Sequence, residues 1–149
     1  MRRSTWLTLL LAVAAGACGE RQAEPQDPRA AAADSVTAAL AMLTPETFDT
    51  VRWVADSAAI SRGAVVWTYS CRKCHGNEGR GDGGWVQDGD TLRPPSFAAA
   101  DWKYGSDREG LRTVIFTGTD GHMPHWGLVG LKPRDVDAVT HYITKVLRP

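Results

Sequence analysis

Cys71-Arg72-Lys73-Cys74-His75 is the densest run of chemically capable side chains in the 149-residue sequence. Two thiols in this register, with an imidazole directly after the second, match what covalent haem attachment requires: the sulfurs reach two vinyl groups and the histidine comes beneath the iron. Three other uses of these residues are weaker. A redox dithiol heads a helix within an alternating strand and helix pattern, which is missing here. A zinc knuckle needs a second ligand pair, and His122, His125 and His141 do not stand in the usual paired spacing. A Cys71–Cys74 disulfide would close a loop too small to stabilise a fold. One covalently attached haem c is therefore the expected cofactor, with His75 on the iron. The opposite axial position also needs a ligand unless gases or peroxides bind there. Met123 is the leading candidate, because Gly121-His122-Met123-Pro124 can present a thioether from a stiff loop. A thioether opposite histidine raises the reduction potential. At this level Met123 as a core filler, and His122, His125 or His141 as ligands, stay open.

Periodicity and punctuation indicate the elements that must hold these groups. Asp56 or Ser57 can cap a helix running to about Ser70, with Ile60, Ala64, Trp67 and Cys71 on one face. Gly76 to Gly84 is a glycine-rich loop, and Leu92 to Pro95 is extended by its prolines. Ser106 opens a second helix with Glu109 completing a capping box, and this helix carries Leu111, Val114 and Ile115 inward until Gly118. A further loop, Gly118 to Trp126, precedes a last helix. Pro133 takes its first position, and Val136, Val139, Tyr142, Ile143 and Val146 form an apolar stripe that His141 lies off. No strand pattern and no internal repeat emerge. A segment of about 90 residues makes a single apolar core marginal, and a haem would supply both cross-links and apolar bulk.

The N-terminal residues read as an address. Arg2 and Arg3 precede an apolar run from Trp6 to Ala17, too short to span a bilayer as a permanent helix. Ala15-Gly16-Ala17-Cys18-Gly19 resembles the lipobox of bacterial lipoproteins, which are cut before a lipidated cysteine. Residues 1–17 are thus the expected signal peptide and Cys18 the membrane anchor. Three cysteines is an odd count for an exported chain, and lipidation of Cys18 leaves one pair. From Gly19 to about Pro45 the composition is that of a tether, within which Ala30 to Leu43 can form a helix with nothing obvious to pack against. Phe48, Val51, Trp53 and Val54 mark a lead-in that folds back on the domain. The expected organisation is a signal peptide (1–17), a lipid-anchored tether and lead-in (18–56), and a haem-binding domain (57–149). Lys+Arg and Asp+Glu each number 17. Loss of the leader, with Arg2 and Arg3, leaves 15 against 17, a formal charge of −2. No basic stripe with interleaved aromatics is present, which excludes nucleic acid as an expected partner.

From about Ser57 to Leu147 these residues resemble the class I cytochrome c family. Gly63, Trp67 and the Cys71 to His75 motif are similar to its N-terminal helix, and Val136 to Val146 with Tyr142 to its C-terminal helix. The family crosses these two helices where glycine meets aromatic, which implies contact among Gly63, Trp67 and Tyr142. Met123 matches the axial methionine, and Met123-Pro124-His125-Trp126 is similar to small bacterial members. Leu92-Arg93-Pro94-Pro95 resembles the segment whose carbonyl orients the proximal histidine, making Pro94 or Pro95 the partner of His75. Trp85, Trp102, Tyr104 and Trp126 are candidates to line the pocket or bond the propionates. Lys132 departs from the family's Ser or Thr cap, so a frayed start of the last helix is expected.

The resemblance implies an all-α cytochrome c fold, three to four short helices wrapped around one covalent haem, with loops. It implies one-electron transfer rather than enzyme catalysis, and the leader with its lipobox-like stretch makes the periplasmic side of a bacterial membrane the expected location. The partners would be redox proteins of a respiratory donor or acceptor complex. The alternative is a haem enzyme or gas sensor with an open sixth position.

Overall fold

The computed structural model describes residues 28–105, 107–119 and 122–148. The leader, Cys18 and the lipobox-like stretch lie outside these residues. In chain order the elements are α1 (Pro28–Met42), a 3-10 turn (Pro45–Phe48), α2 (Asp56–Val66), a π turn (Trp67–Cys71) and α3 (Arg72–His75). They are followed by β1 (Val86–Gln87), β2 (Asp90–Thr91), α4 (Arg108–Thr117), α5 (Pro133–Tyr142) and a closing π turn (Ile143–Leu147).

α2 does not stop near Ser70 as its sequence suggests. It continues through the π turn into α3, so one helical run carries both thiols and the imidazole. The wider turn at Trp67–Cys71 falls just before the motif, a placement π turns often have at functional sites. Gly76, at φ +80°, ends the run.

α2 crosses α5 at Gly63. A methyl group there would run into the Ala138 carbonyl and lie 2.7 Å from Tyr142 Cβ, so only glycine lets the two helices meet this closely. Trp67 closes the crossing with its ring centroid 6.1 Å from that of Tyr142. The glycine and aromatic contact expected between these helices is therefore present. Val66, Trp67, Leu111, Ile115, Val136 and Ile143 form the centre of the buried core around it.

α4 is capped by Asp107, whose carboxylate accepts from the Gly110 N–H at 2.9 Å, one residue later than the Ser106 and Glu109 box. The Asp107 side chain is the shorter reach to the third helical N–H, and Gly110 leaves room for it. The start of α5 lacks a side-chain cap, yet it is not frayed. Asp135 and Val136 both donate to the Lys132 carbonyl, Pro133 presets the first turn, and Arg62 of α2 pairs with Asp135 at 2.8 Å.

Two further expectations are corrected. A two-residue hairpin, Val86–Gln87 against Asp90–Thr91, is too short for alternation to reveal. α1 does have a partner: it packs on α4, Ala39 is fully buried, and Leu43 reaches the main core. The lead-in folds back as expected, with Phe48 edge-on to Phe116 at 6.4 Å.

Candidate haem-attachment site

The motif is built on the last turn of the α2 to α3 run and wrapped by the loop after it. Gly81 N–H donates to the His75 carbonyl at 2.9 Å and Gly83 N–H to the Cys74 carbonyl at 3.2 Å. The wrap needs glycine at Gly79 and Gly81, both at positive φ. A Cβ on Gly79 would lie 2.5 Å from the Phe97 ring, and one on Gly81 would strike the Pro94 carbonyl.

Both motif thiols are free. Burial, and then the neighbouring Cys74, push the Cys71 thiol up to about 12, and burial raises Cys74 as well. These sulfurs are poor thiolates at neutral pH and so poorly suited to act as free nucleophiles. Burying a thioether, which has no ionisable proton, carries no such charge penalty. Burial lowers His75 to about 4, so the ring is neutral and its nitrogens are available as ligands. Its Nδ1 is buried and has no hydrogen-bond partner, and the same holds for Trp67 Nε1. Among the described residues no group of three or more His, Cys, Asp or Glu could hold a bare metal ion. A neutral histidine with an orphaned ring nitrogen, beside two neutral sulfurs, fits a haem better than a simple ion.

An aromatic row leads away from the imidazole. His75 lies 5.8 Å from Trp67 and 5.1 Å from Phe97, Phe97 lies 5.0 Å from Trp102, and Trp102 lies 5.7 Å from Tyr104, all between ring centroids. The structure thus joins Trp102 and Tyr104 to the motif through Phe97, which sequence reasoning missed. Its signal was an aromatic just after the Pro94-Pro95 pair. Arg148 holds this row from the C-terminus, donating to the Phe97 and Ala99 carbonyls with its guanidinium 5.1 Å from the Trp102 ring.

Met123 and Trp126 are half-buried and pack against the same core. A cleft beside α4, lined by Tyr104, Val114, Thr117, Gly118 and Thr119, adjoins the loop that carries Met123. Pro94 turns its carbonyl towards Gly81, and Pro95 is exposed. Neither is bonded to His75 Nδ1. Trp85 lies on the surface, 42% exposed, with the Lys73 ammonium 3.9 Å from its ring centroid, rather than in the pocket.

A second polar centre lies outside the motif. Asp137, 1% exposed, accepts from Trp53 Nε1 at 2.6 Å, from Arg112 and, at 3.4 Å, from Arg108. Arg108 also donates to His141 Nε2 at 2.6 Å, so that nitrogen carries no proton. Burial, and then Arg108, lower the His141 pKa from 6.5, with Arg112 adding to this and Asp137 and Asp56 opposing it. Unfolded chains therefore protonate first as pH falls, and stability present above pH 6.5 is lost below it. The urea midpoint of the parent should drop between about pH 7.5 and about pH 5.5, and His141→Gln should show a shallower drop. Equal slopes would remove His141 from this account.

Comparison with known proteins adds a family to this geometry. A family model described as cytochrome C oxidase, cbb3-type, subunit III matches residues 58–143. The cbb3-type cytochrome c oxidase subunit FixP of Azorhizobium caulinodans is 31% identical over 88 residues, covering 59% of this chain and 27% of that protein. The corresponding CcoP subunit of Rhodobacter capsulatus is 33% identical over 95 residues, covering 60% and 30%. That of Cereibacter sphaeroides is 28% identical over 88 residues, covering 59% and 28%. The chain thus spans less than a third of the length of these relatives. No solved structure matches it.

Proposed function

The chain belongs to the cbb3-type cytochrome c oxidase subunit III family, within the class I c-type cytochromes, and from that premise we propose that it is a monohaem electron-transfer protein with His75 and Met123 as axial ligands. The observation that carries this reading is the single helical run that presents Cys71, Cys74 and a neutral His75 with an unpartnered Nδ1 together. The bound haem supplies a one-electron Fe(III)/Fe(II) couple. Cys71 and Cys74 would hold it covalently, and His75 and Met123 would supply an imidazole nitrogen and a thioether sulfur to its iron. Trp67 and Phe97 pack against the imidazole, whose Nδ1 is shielded from water. Trp102, Tyr104 and Trp126 extend the apolar surroundings, which favour the less charged reduced state.

A lipidated Cys18 would hold the domain at the outer face of a bacterial membrane. Among the described residues no helix is long and apolar enough to cross one. The relatives named as oxidase subunits support a redox partner in a respiratory complex.

A redox-titrated optical spectrum of the exported chain tests the haem, its ligands and its potential together. Met123→Ala should lower the potential and let the reduced protein bind carbon monoxide at neutral pH, which the parent should resist. A parent that already binds carbon monoxide readily would instead favour an open sixth position. An unchanged spectrum in Met123→Ala would take Met123 off the iron.

A further inference from the structure

Met123 is not held by the apolar core alone. Its backbone is tied twice to Thr119: the Thr119 N–H donates to the Met123 carbonyl at 3.1 Å, and the Met123 N–H donates to the Thr119 hydroxyl at 3.2 Å. The first bond survives any substitution at 119 except proline, whereas the second needs a side-chain oxygen there. Beside it Gly118 sits at φ +73°. A Cβ on Gly118 would lie 2.5 Å from the Met123 oxygen and 2.7 Å from the His125 nitrogen, so the ligand loop rests directly on this residue. The far end of the loop returns to the same helix, with Gly127 N–H donating to the Phe116 carbonyl at 2.9 Å. The flanks of Met123 are therefore referenced to the last turn of α4, where Ile115 and Phe116 are buried, and to Gly118 and Thr119 just after it. A methionine side chain has three rotatable bonds and specifies its own position poorly, so the placement of its sulfur depends on a fixed backbone.

We propose that Thr119 is a positioning residue for Met123: its hydroxyl fixes the Met123 N–H and thereby keeps the thioether on the iron. This rests on the reading of Met123 as axial ligand. The test uses the haem-loaded ferric chain with imidazole as competing ligand. Thr119→Val keeps the side-chain shape and removes the acceptor, and it should speed imidazole binding about tenfold, the scale of one lost backbone-anchoring bond. Thr119→Ser restores the oxygen and should stay within about twofold of the parent. Should Thr119→Val not take up haem, Thr119→Ala makes the same comparison. A parent-like rate in the variants lacking oxygen overturns the proposal, as does a serine variant as fast as they are. Met123→Ala separates this from the underlying reading. If it binds imidazole no faster than the parent, both fall; if it binds fast while Thr119→Val stays parent-like, only Thr119 falls.

Discussion

Asp137→Ala should destabilise the fold by about 3 kcal/mol, a large part of the 5–15 kcal/mol that holds a typical domain together. Breaking a buried ion pair from one side leaves the opposite charge uncompensated, typically at about 3–5 kcal/mol. The lower end applies here because the two arginine side chains are partly exposed, at 41% and 26%, and can regain water. The loss also frees Trp53 Nε1, whose bond to Asp137 ties the lead-in to α5 across 84 residues of chain. Asp137→Asn keeps an acceptor for Trp53 and removes only the charge, so it should fall between parent and alanine. Urea unfolding followed by tryptophan fluorescence measures all three. A change in Asp137→Ala below about 1 kcal/mol would show that the arginines and Trp53 find other partners.

Replacing Cys71 and Cys74 together by alanine should make all of the pigment extractable by acidic organic solvent, against none from the parent. Each single variant should retain colour through its remaining thioether. Covalent attachment keeps a ligand at high effective concentration whatever the dilution, whereas a free ligand stabilises only while its concentration exceeds its dissociation constant. A ligand at a thousandfold excess contributes about 4 kcal/mol, so the double variant should also lose that scale of stability on dilution. Pigment that stays bound through extraction in the double variant would rule out the thioether links.

The parts of the fold legible in the sequence were those with short-range signals. Cys71 to His75 is contiguous, Pro133 presets the start of α5, and the Gly63 and Trp67 pair lies on one helix with Tyr142 in a periodic apolar stripe. The Asp137 centre was not legible, because its members come from positions 53, 108, 112, 137 and 141 and each alone reads as a solvated group. His141 lies off the apolar stripe, as its periodicity says, and is nonetheless buried, because the charges facing it make a polar interior. α1 looked unpartnered since alanine gives helix propensity without a face, and its docking through Ala39 is a matter of close approach rather than apolar bulk. Phe97 reaches the motif only because Gly79 lacks a side chain, a relation that periodicity does not report.

The docking of α1 would also limit how far an anchored domain could travel. Were Cys18 lipidated as proposed, ten residues would separate the anchor from Pro28, and chain geometry would cap that distance at about 35 Å. Such an anchor would confine the protein to a thin layer above the bilayer, where encounter with an acceptor would be a search over a surface and not through a volume.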